Sequence, residues 1–598
     1  MTASKLAAFA RRDPGAALLL LALALVVLVY AAAVPRGLVN YDDTWLVGDN
    51  FFLQHATWST VPSIFFDTSK TTRFLLGAEY LPVRDVSVAL DFAIWGTWYA
   101  GHHLTNLVIY VAALVTWFAV LDRWGIDRKL VGLAILLWAL HPTHAESVAW
   151  LSERKGLLAL LWSGLAAVGY VRFRAGGSYR SLVLAMLATV LAVWSKASSA
   201  FTIAALLGFE LALPAGRVSW RRSLGGLAGL GVVGTLAFIP VLTTATNLAV
   251  VTTDDKAPGS WLAMVLGGHG FYVEQAGMAF RNAISYPIST EGPSIVQIAI
   301  GAVTLALVAA LAFVPRRRWK RDPALQVGAW LWLLGWFPAS RMVLPLKAVL
   351  FADRYALVST LGFSLILASL LLRFLQGRAR AALIVTIIVA ASLRTFDAQS
   401  NWRNSVTLWQ RATISNPADG VAWSSYAEAL ESAGEDELAV DAVRHGLRHS
   451  RSPRLLLRKA LLVLDHGQRP QAVNAMRQAA DAGEPRAMSN LSYLLLQDGR
   501  ADEALDWGRR AVAGAPMYAK AHRNLGAAAL ATKHAQEAYE AFLRAYELWP
   551  FDAANRYNLA VALLQLGRRD EAQGHLVACV WDPVNGAKAR ALLARIIR

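Results

Sequence analysis

Residues 16–34 read AALLLLALALVVLVYAAAV, nineteen positions without a charge. A run of this length crosses the ~30 Å hydrocarbon core of a bilayer as a single α-helix. Lys5, Arg11 and Arg12 precede it and predict a cytoplasmic N-terminus. A cleaved signal peptide ending near Ala31–Ala33 is the alternative, but the run is longer than the apolar core of a usual signal. The rest of the chain favours an anchor. With 56% hydrophobic residues over 598 positions, it is too apolar for a wholly soluble protein and too long for one ordinary domain.

Further apolar runs lie at about 104–121, 130–140, 156–171, 181–195, 197–213, 224–243, 295–314, 324–340, 355–372 and 381–394. Several are too short to span lipid alone and are tolerated where their ends meet a protein-lined, water-filled cavity. The segments 1–13, 122–129, 172–180, 214–222, 315–321 and 373–380 carry the whole net charge of +17. With eleven crossings and the N-terminus inside, all six segments are cytoplasmic and everything after about 395 is outside. Confinement of the charge to these turns argues against nucleic acid and for membrane lipid as the surrounding partner. Trp261 to Asn282 is the exception, because it is helix-like but carries His269, Glu274 and Arg281. It is expected as an external or half-inserted amphipathic helix. A single cysteine, Cys579, excludes an intrachain disulfide framework and a cysteine-rich metal site.

Beyond about 415 no run reaches spanning length, and self-similarity takes over. Asn490-Leu491, Asn524-Leu525 and Asn558-Leu559 recur every 34 residues, as do Ala504, Ala538 and Ala572, and Pro516 and Pro550 end repeats at the same interval. This is the tetratricopeptide pattern of paired helices. Two more divergent copies align through Gly434, Gly467 and Gly499 and through Ala439, Ala472 and Ala504. Five copies predict a curved solenoid suited to an extended segment or another protein, with a purely structural cap as the alternative. The expected fold class is all-α. A polytopic transmembrane helical domain over 1–395 and a connector over 396–414 precede an α-solenoid over 415–598.

Polar residues gather where spans meet the outside. The first external loop, about 36–101, opens with Asn40-Tyr41-Asp42-Asp43 and continues to Leu81-Pro82-Val83-Arg84-Asp85. The second span starts at Gly101-His102-His103-Leu104-Thr105-Asn106. After the third come His141-Pro142-Thr143-His144-Ala145-Glu146 and Ser152-Glu153-Arg154-Lys155, and the penultimate external loop holds Arg341, Lys347 and Ala352-Asp353-Arg354-Tyr355. Asp42 and Asp43 alone read equally as a solvated loop or a helix cap. Cations outside the membrane run against the charge rule and call for an anionic partner such as phosphate, with Arg154 and Lys155 as donors. A divalent metal on His141, His144 and Glu146 is the less favoured reading, since Pro142 interrupts a regular helix and no HExxH pattern is present.

The order of these motifs, acidic pair, PVRD, GHHLTN, HPTHAESVAWLSERK, ADRYALVSTLGF and then tetratricopeptide repeats, resembles that of the TMTC-type membrane O-mannosyltransferases and their bacterial relatives. The resemblance implies a GT-C-like glycosyltransferase fold and a polyprenyl-phosphate sugar as donor, with a hexose such as mannose moved to Ser or Thr of a protein acceptor. Transfer would invert the anomeric carbon on the extracytoplasmic side. It further implies Asp42 as base with Asp43 beside it, and phosphate held by Arg154, Lys155 and Arg354 with Arg84, Arg341 and Lys347 nearby. His103, Asn106, His141, His144, Glu146, Asp353 and Tyr355 would shape the pocket. The chain departs from the family pattern in having LPVRD for YRPL and an Asp before Arg354 in place of Glu, which puts the role of Arg84 in doubt. The expected location is the inner (plasma) membrane with the repeats in the periplasm. A lipid-linked glycan polymerase or ligase, or a scaffold recruiting partners through the repeats, are the rival readings.

Overall fold

The first apolar run becomes a helix because its start is well capped. The Asp13 carboxylate accepts the Ala16 N–H at 2.9 Å and Pro14 takes the first helical position, giving α1 (Pro14–Tyr30). The computed structural model describes residues 8–9, 11–212, 220–248, 260–277, 282–313, 323–340, 351–550 and 552–596. Every regular element among them is helical. The chain divides into two units, Met1–Asn416 and Pro417–Arg598.

In the first unit, three short helices between Phe51 and Leu75 lead to α2 (Pro82–Trp95), α3 (Tyr99–Arg123) and α4 (Arg128–Ala139). There follow α5 (Arg154–Arg174), α6 (Tyr179–Val193), α7 (Thr202–Ala212) and α8 (Trp220–Asn247). The remainder comprises α9 (Trp261–Gly277), α10 (Ile295–Phe313), α11 (Pro323–Trp336), α12 (Ser359–Phe374), α13 (Gly377–Ser400) and α14 (Ser405–Ser415). Each of the eleven expected spans falls on one of these helices. Six stretches, Pro14–Ala33, Tyr99–Arg123, Leu151–Arg174, Trp220–Asn247, Ile295–Phe313 and Gly377–Ser400, are long and apolar enough to cross a membrane. The unit is therefore that of a multi-pass membrane protein.

The shorter helices survive by being enclosed. At 1.5 Å per residue α4 is only ~18 Å long, but every residue from Leu130 to Ala139 is buried, against α1, α3 and α12. The approach of α1 is close enough that a methyl group added at Gly132 would lie 2.6 Å from the Gly15 carbonyl oxygen. Small residues allow such backbone contact where lipid offers no hydrophobic drive between helices.

The segment from Trp261 corrects the expectation of an amphipathic helix. In α9 the polar His269 and Gln275 are buried, and the Trp332 indole donates to His269 Nε2 at 2.7 Å. It runs antiparallel along α10, with Gly301 pressed on the Leu266 carbonyl and Gly270 on that of Gln297. Its polar groups thus serve helix packing rather than a water-facing stripe; Arg281 lies outside the described residues. The stretch expected as a connector, 396–414, forms the end of α13 and most of α14. Leu408 there is buried and the Trp409 indole donates to Asn40 Oδ1 at 2.6 Å.

Among its described residues the second unit has five helix pairs, beginning at Gly420, Pro453, Pro485, Ala519 and Ala553, and a last helix Gly586–Ile596. Ala439, Ala472, Ala504, Ala538 and Ala572 are completely buried, as their recurrence predicts for positions where helices touch. The turn between the helices of a pair needs a left-handed residue. Gly434, Gly467, Gly499 and Gly567 supply it at φ between 74° and 79°, but in the fourth pair Lys533 takes the same place at φ 65°.

Candidate active site

Asp42 and Asp43 are neighbours with different surroundings. Asp43 is 1% exposed. It accepts from the Ser152 N–H at 3.0 Å, the Ser152 hydroxyl at 2.5 Å and the Val39 N–H at 3.3 Å, tying the first loop to the turn before α5. Burial raises its pKa to about 6 against the pull of these hydrogen bonds. Asp42 instead lines a cavity of about 350 Å³. Burial raises its pKa too, opposed by Lys155, the Trp45 indole and Arg354.

The lining of that cavity is part polar and part apolar. Its polar part presents Asp42, Glu79 and Glu153 alongside Lys155, Lys196 and Arg354. Its apolar part is walled by Phe201, Phe238, Val241, Leu242, Leu334 and Leu357, from the turn before α7, from α8 and α11, and from the approach to α12. Each cation is held by an acid. Lys155 Nζ lies 2.8 Å from Glu79 Oε2, Lys196 is hydrogen-bonded to Glu153 Oε1, and Arg354 pairs with Glu146, which also accepts the Arg354 N–H at 2.9 Å. The Arg354 guanidinium stands 5.4 Å from the Trp150 ring centroid and 4.9 Å from that of Tyr355. Lys196 Nζ is 5.6 Å from the same Tyr355 ring. Lys155 and Arg84 outweigh the partial desolvation of the Glu79 carboxyl, whose side chain is 40% exposed, and hold it below its usual range. The backbone aims Glu79 inward through Gly77 and Ala78, both at positive φ (92° and 57°), a conformation strained for alanine.

Among the residues singled out by sequence, Asp42, Lys155, Arg354 and Tyr355 meet at this cavity. Arg154, expected to hold phosphate, does not line it. Its guanidinium is buried and occupied by Asp91 at 2.5 Å, Asn106 Oδ1 at 2.7 Å, the His102 carbonyl at 2.8 Å and the Ser87 carbonyl at 3.2 Å. It joins α5 to α2 and α3 instead. Arg84 likewise sits apart from the lining, between Glu79 at 3.1 Å and Asp85 at 2.7 Å. His103 is buried against the Gly37 carbonyl at 3.4 Å. His141 bonds Thr143 and the Ala276 carbonyl, and His144 bonds Tyr110 and Thr360, so the ring nitrogens of both are engaged away from the cavity. Burial lowers the His141 pKa to about 4. Among the described residues no cluster of three His, Cys, Asp or Glu side chains has the geometry to hold a metal. Asp353 accepts from Asn282 at 2.7 Å and Tyr286 at 2.8 Å, and burial with Glu146 nearby raises its pKa to about 8. Arg341 and Lys347 lie outside the described residues.

Glu79, Glu153, Trp150 and Lys196 escaped the sequence reading as site residues. Lys196 had a signal, since it is a lone cation between two apolar runs on the side assigned to the exterior. Glu79 had none, because its partners Lys155 and Arg84 are brought to it only by the fold.

A family model described as Tetratricopeptide repeat matches residues 392–448, 457–519 and 534–576. Protein O-mannosyl-transferase TMTC3 of Mus musculus is 21% identical over 546 residues, covering 82% of this chain and 59% of that protein. The Homo sapiens TMTC3 is 21% identical over 552 residues, covering 83% and 60%. Protein O-mannosyl-transferase Tmtc1 of Drosophila melanogaster is 29% identical over 155 residues, 25% of this chain and 18% of that one. The chain thus spans about three-fifths of the length of the two TMTC3 proteins. Solved structures that match include YrrB, a TPR protein with an unusual peptide-binding site, at 20% identity and TM-score 0.26 over 31% of this chain and 97% of that one. Pseudomonas aeruginosa pilF matches at 19% identity and TM-score 0.27 over 30% and 83%. By sequence, then, the chain is a TMTC-like multi-pass membrane protein with tetratricopeptide repeats.

Proposed function

We propose that this protein is a GT-C-type membrane glycosyltransferase. It moves a sugar, a hexose such as mannose, from a polyprenyl-phosphate carrier to a Ser or Thr hydroxyl of an extracytoplasmic protein. The observation that supports this assignment is the cavity whose lining joins three cations and three carboxylates to a set of aliphatic and aromatic side chains. A lipid phosphate has the same division. The names of the TMTC relatives point the same way.

In this mechanism Asp42 takes the proton of the acceptor hydroxyl as its oxygen attacks the anomeric carbon. Burial makes Asp42 a stronger base than a solvated carboxylate. The bond from the anomeric carbon to the phosphate oxygen breaks on the opposite face, which inverts the centre. Lys155, Lys196 and Arg354 receive the charge that develops on the departing polyprenyl phosphate. Their partners Glu79, Glu153 and Glu146 keep the three cations charged and oriented when no donor is present. Glu153 Oε2 is buried and accepts no hydrogen bond, which suits a sugar hydroxyl. The repeats recruit the polypeptide that carries the acceptor residue.

The test uses the full chain in lipid vesicles, a radiolabelled polyprenyl-phosphate hexose and Ser/Thr peptides. Asp42→Asn is expected to lower transfer at least about a hundred-fold, the scale of a lost general base, with unchanged thermal stability. Undiminished transfer by the purified variant would refute the assignment. Label appearing on a lipid-linked glycan and on no peptide would mean a glycan polymerase or ligase instead.

A further inference from the structure

Helix α14 is part of the repeats by sequence and part of the membrane unit by contact. The tetratricopeptide match begins at residue 392, whereas the boundary between the two units falls after Asn416. Asn404 caps the helix by accepting the Thr407 N–H at 2.9 Å. Ser405 and Trp409, four residues apart, therefore share one face, and both turn to Asn40 of the first external loop. The Ser405 hydroxyl accepts the Asn40 N–H at 2.9 Å, and Asn40 Oδ1 accepts the Trp409 indole N–H at 2.6 Å. Trp409 is 4% exposed, so its N–H has to find a partner inside the fold, and Asn40 is that partner.

These contacts act on the stretch that carries the base. Asn40 is held by α14, the Tyr41 ring lies 4.8 Å from that of Trp150 and 5.6 Å from that of Trp409, and Asp43 is held by Ser152. Asp42 is left between them, with Trp45 as its side-chain donor and the cavity beside it. Its direction is set by how its neighbours are fixed. The far end of the same segment reaches the other half of the site. Asn416 donates to the Ser285 hydroxyl and the Tyr286 carbonyl, both at 3.1 Å, and the Tyr286 hydroxyl donates to Asp353, next to Arg354. One short segment thus ties down both the loop of Asp42 and the turn of Arg354.

We propose that Trp409 is a positioning residue of the transfer reaction. Through Asn40 and Tyr41 it fixes the loop that carries Asp42 and so aims that carboxylate into the cavity. This role rests on the glycosyltransferase reading and extends it to a side chain that lies outside the cavity lining. A base displaced by about 1 Å loses on the order of a hundred-fold in rate, and the loss of one restraint among several costs less, about ten-fold.

The full chain in lipid vesicles is assayed with a radiolabelled polyprenyl-phosphate hexose and a short Ser/Thr peptide. Trp409→Phe keeps a ring against Tyr41 and removes the N–H. It is expected to lower kcat about ten-fold and to leave the donor KM unchanged, because Lys155, Lys196 and Arg354 keep their places. Asn40→Ala removes the same bond without opening a buried ring site. It is expected to give the same loss, and the double variant no more than either. In the Asp42→Asn background, Trp409→Phe should lower the residual transfer no further. A merely structural role would raise the donor KM, or would subtract in full from Asp42→Asn; either result overturns the proposal. So does parent-like kcat in Asn40→Ala, which is read even where Trp409→Phe does not fold. Full transfer by Asp42→Asn would refute the catalytic assignment instead. Transfer lost there, with parent-like kcat in the other two variants, would refute the positioning role alone.

Discussion

Replacing Lys196 with Met should destabilise the membrane unit far more than a loss of one lysine at a surface would. Its Nζ is hydrogen-bonded to Glu153, whose side chain is 0% exposed while that of Lys196 is 17% exposed. Besides Lys196, Glu153 has Arg354 with its Nε at 3.9 Å and Lys155 within electrostatic reach, and its second oxygen accepts no hydrogen bond. Removing one partner of a buried pair costs about 3–5 kcal/mol, and the distant Arg354 places the expected cost at the lower end, about 3 kcal/mol. Replacing both members, Lys196→Met with Glu153→Gln, removes the orphaned charge and should recover most of that loss. Transfer should not recover, since the proposed mechanism uses Lys196 for phosphate and Glu153 for the sugar. The cycle is read as apparent Tm of the four purified proteins by intrinsic tryptophan fluorescence, with transfer measured in parallel. If the single and double variants are equally unstable, the cost does not come from the buried carboxylate and the electrostatic account fails. If the double variant regains transfer, neither residue serves the chemistry.

Lys533→Gly should stabilise the repeat unit by about 0.5–1 kcal/mol, because it relieves a left-handed lysine where four sister repeats use glycine; an unchanged or lower apparent Tm contradicts this. Arg154→Met should reduce the yield of folded protein through a buried, unpaired Asp91, at a cost of about 3–5 kcal/mol, and adding Asp91→Asn should restore part of it. A pure phosphate-binding role would instead leave folding intact. Asp353 titrates at about 8 in the folded chain against an ordinary 3.8. The folded state holds that proton more tightly, so stability is lost as pH rises through this window and the loss ends above about 8. Apparent Tm followed from pH 5 to 8.5 should fall less steeply for Asp353→Asn than for the parent; parallel curves would remove Asp353 as the cause.

The apolar runs and the repeats were legible because both are written in local pattern. Nineteen uncharged residues define a span whatever surrounds them, and Ala504, Ala538 and Ala572 mark helix contacts by period alone. Helix α9 misled because His269 and Glu274 look like a polar face until their partners are known. The Trp332 indole that accommodates His269 is 63 positions away in the chain.

Sequence by itself determined an all-α membrane chain with a solenoid, and assembled the external motifs around Asp42 and Asp43. Only tertiary structure decided how those motifs are used. It parted the two acids, giving Asp43 to Ser152 and Asp42 to the cavity. It set Arg154 away from the cavity in a buried pair with Asp91, and brought Lys196 and Glu79 to the cavity wall. The physical reason is that helix and repeat periodicities are set by neighbours along the chain. Which cation is spent on an internal carboxylate, and which faces a cavity, depends on contacts between residues tens to hundreds of positions apart.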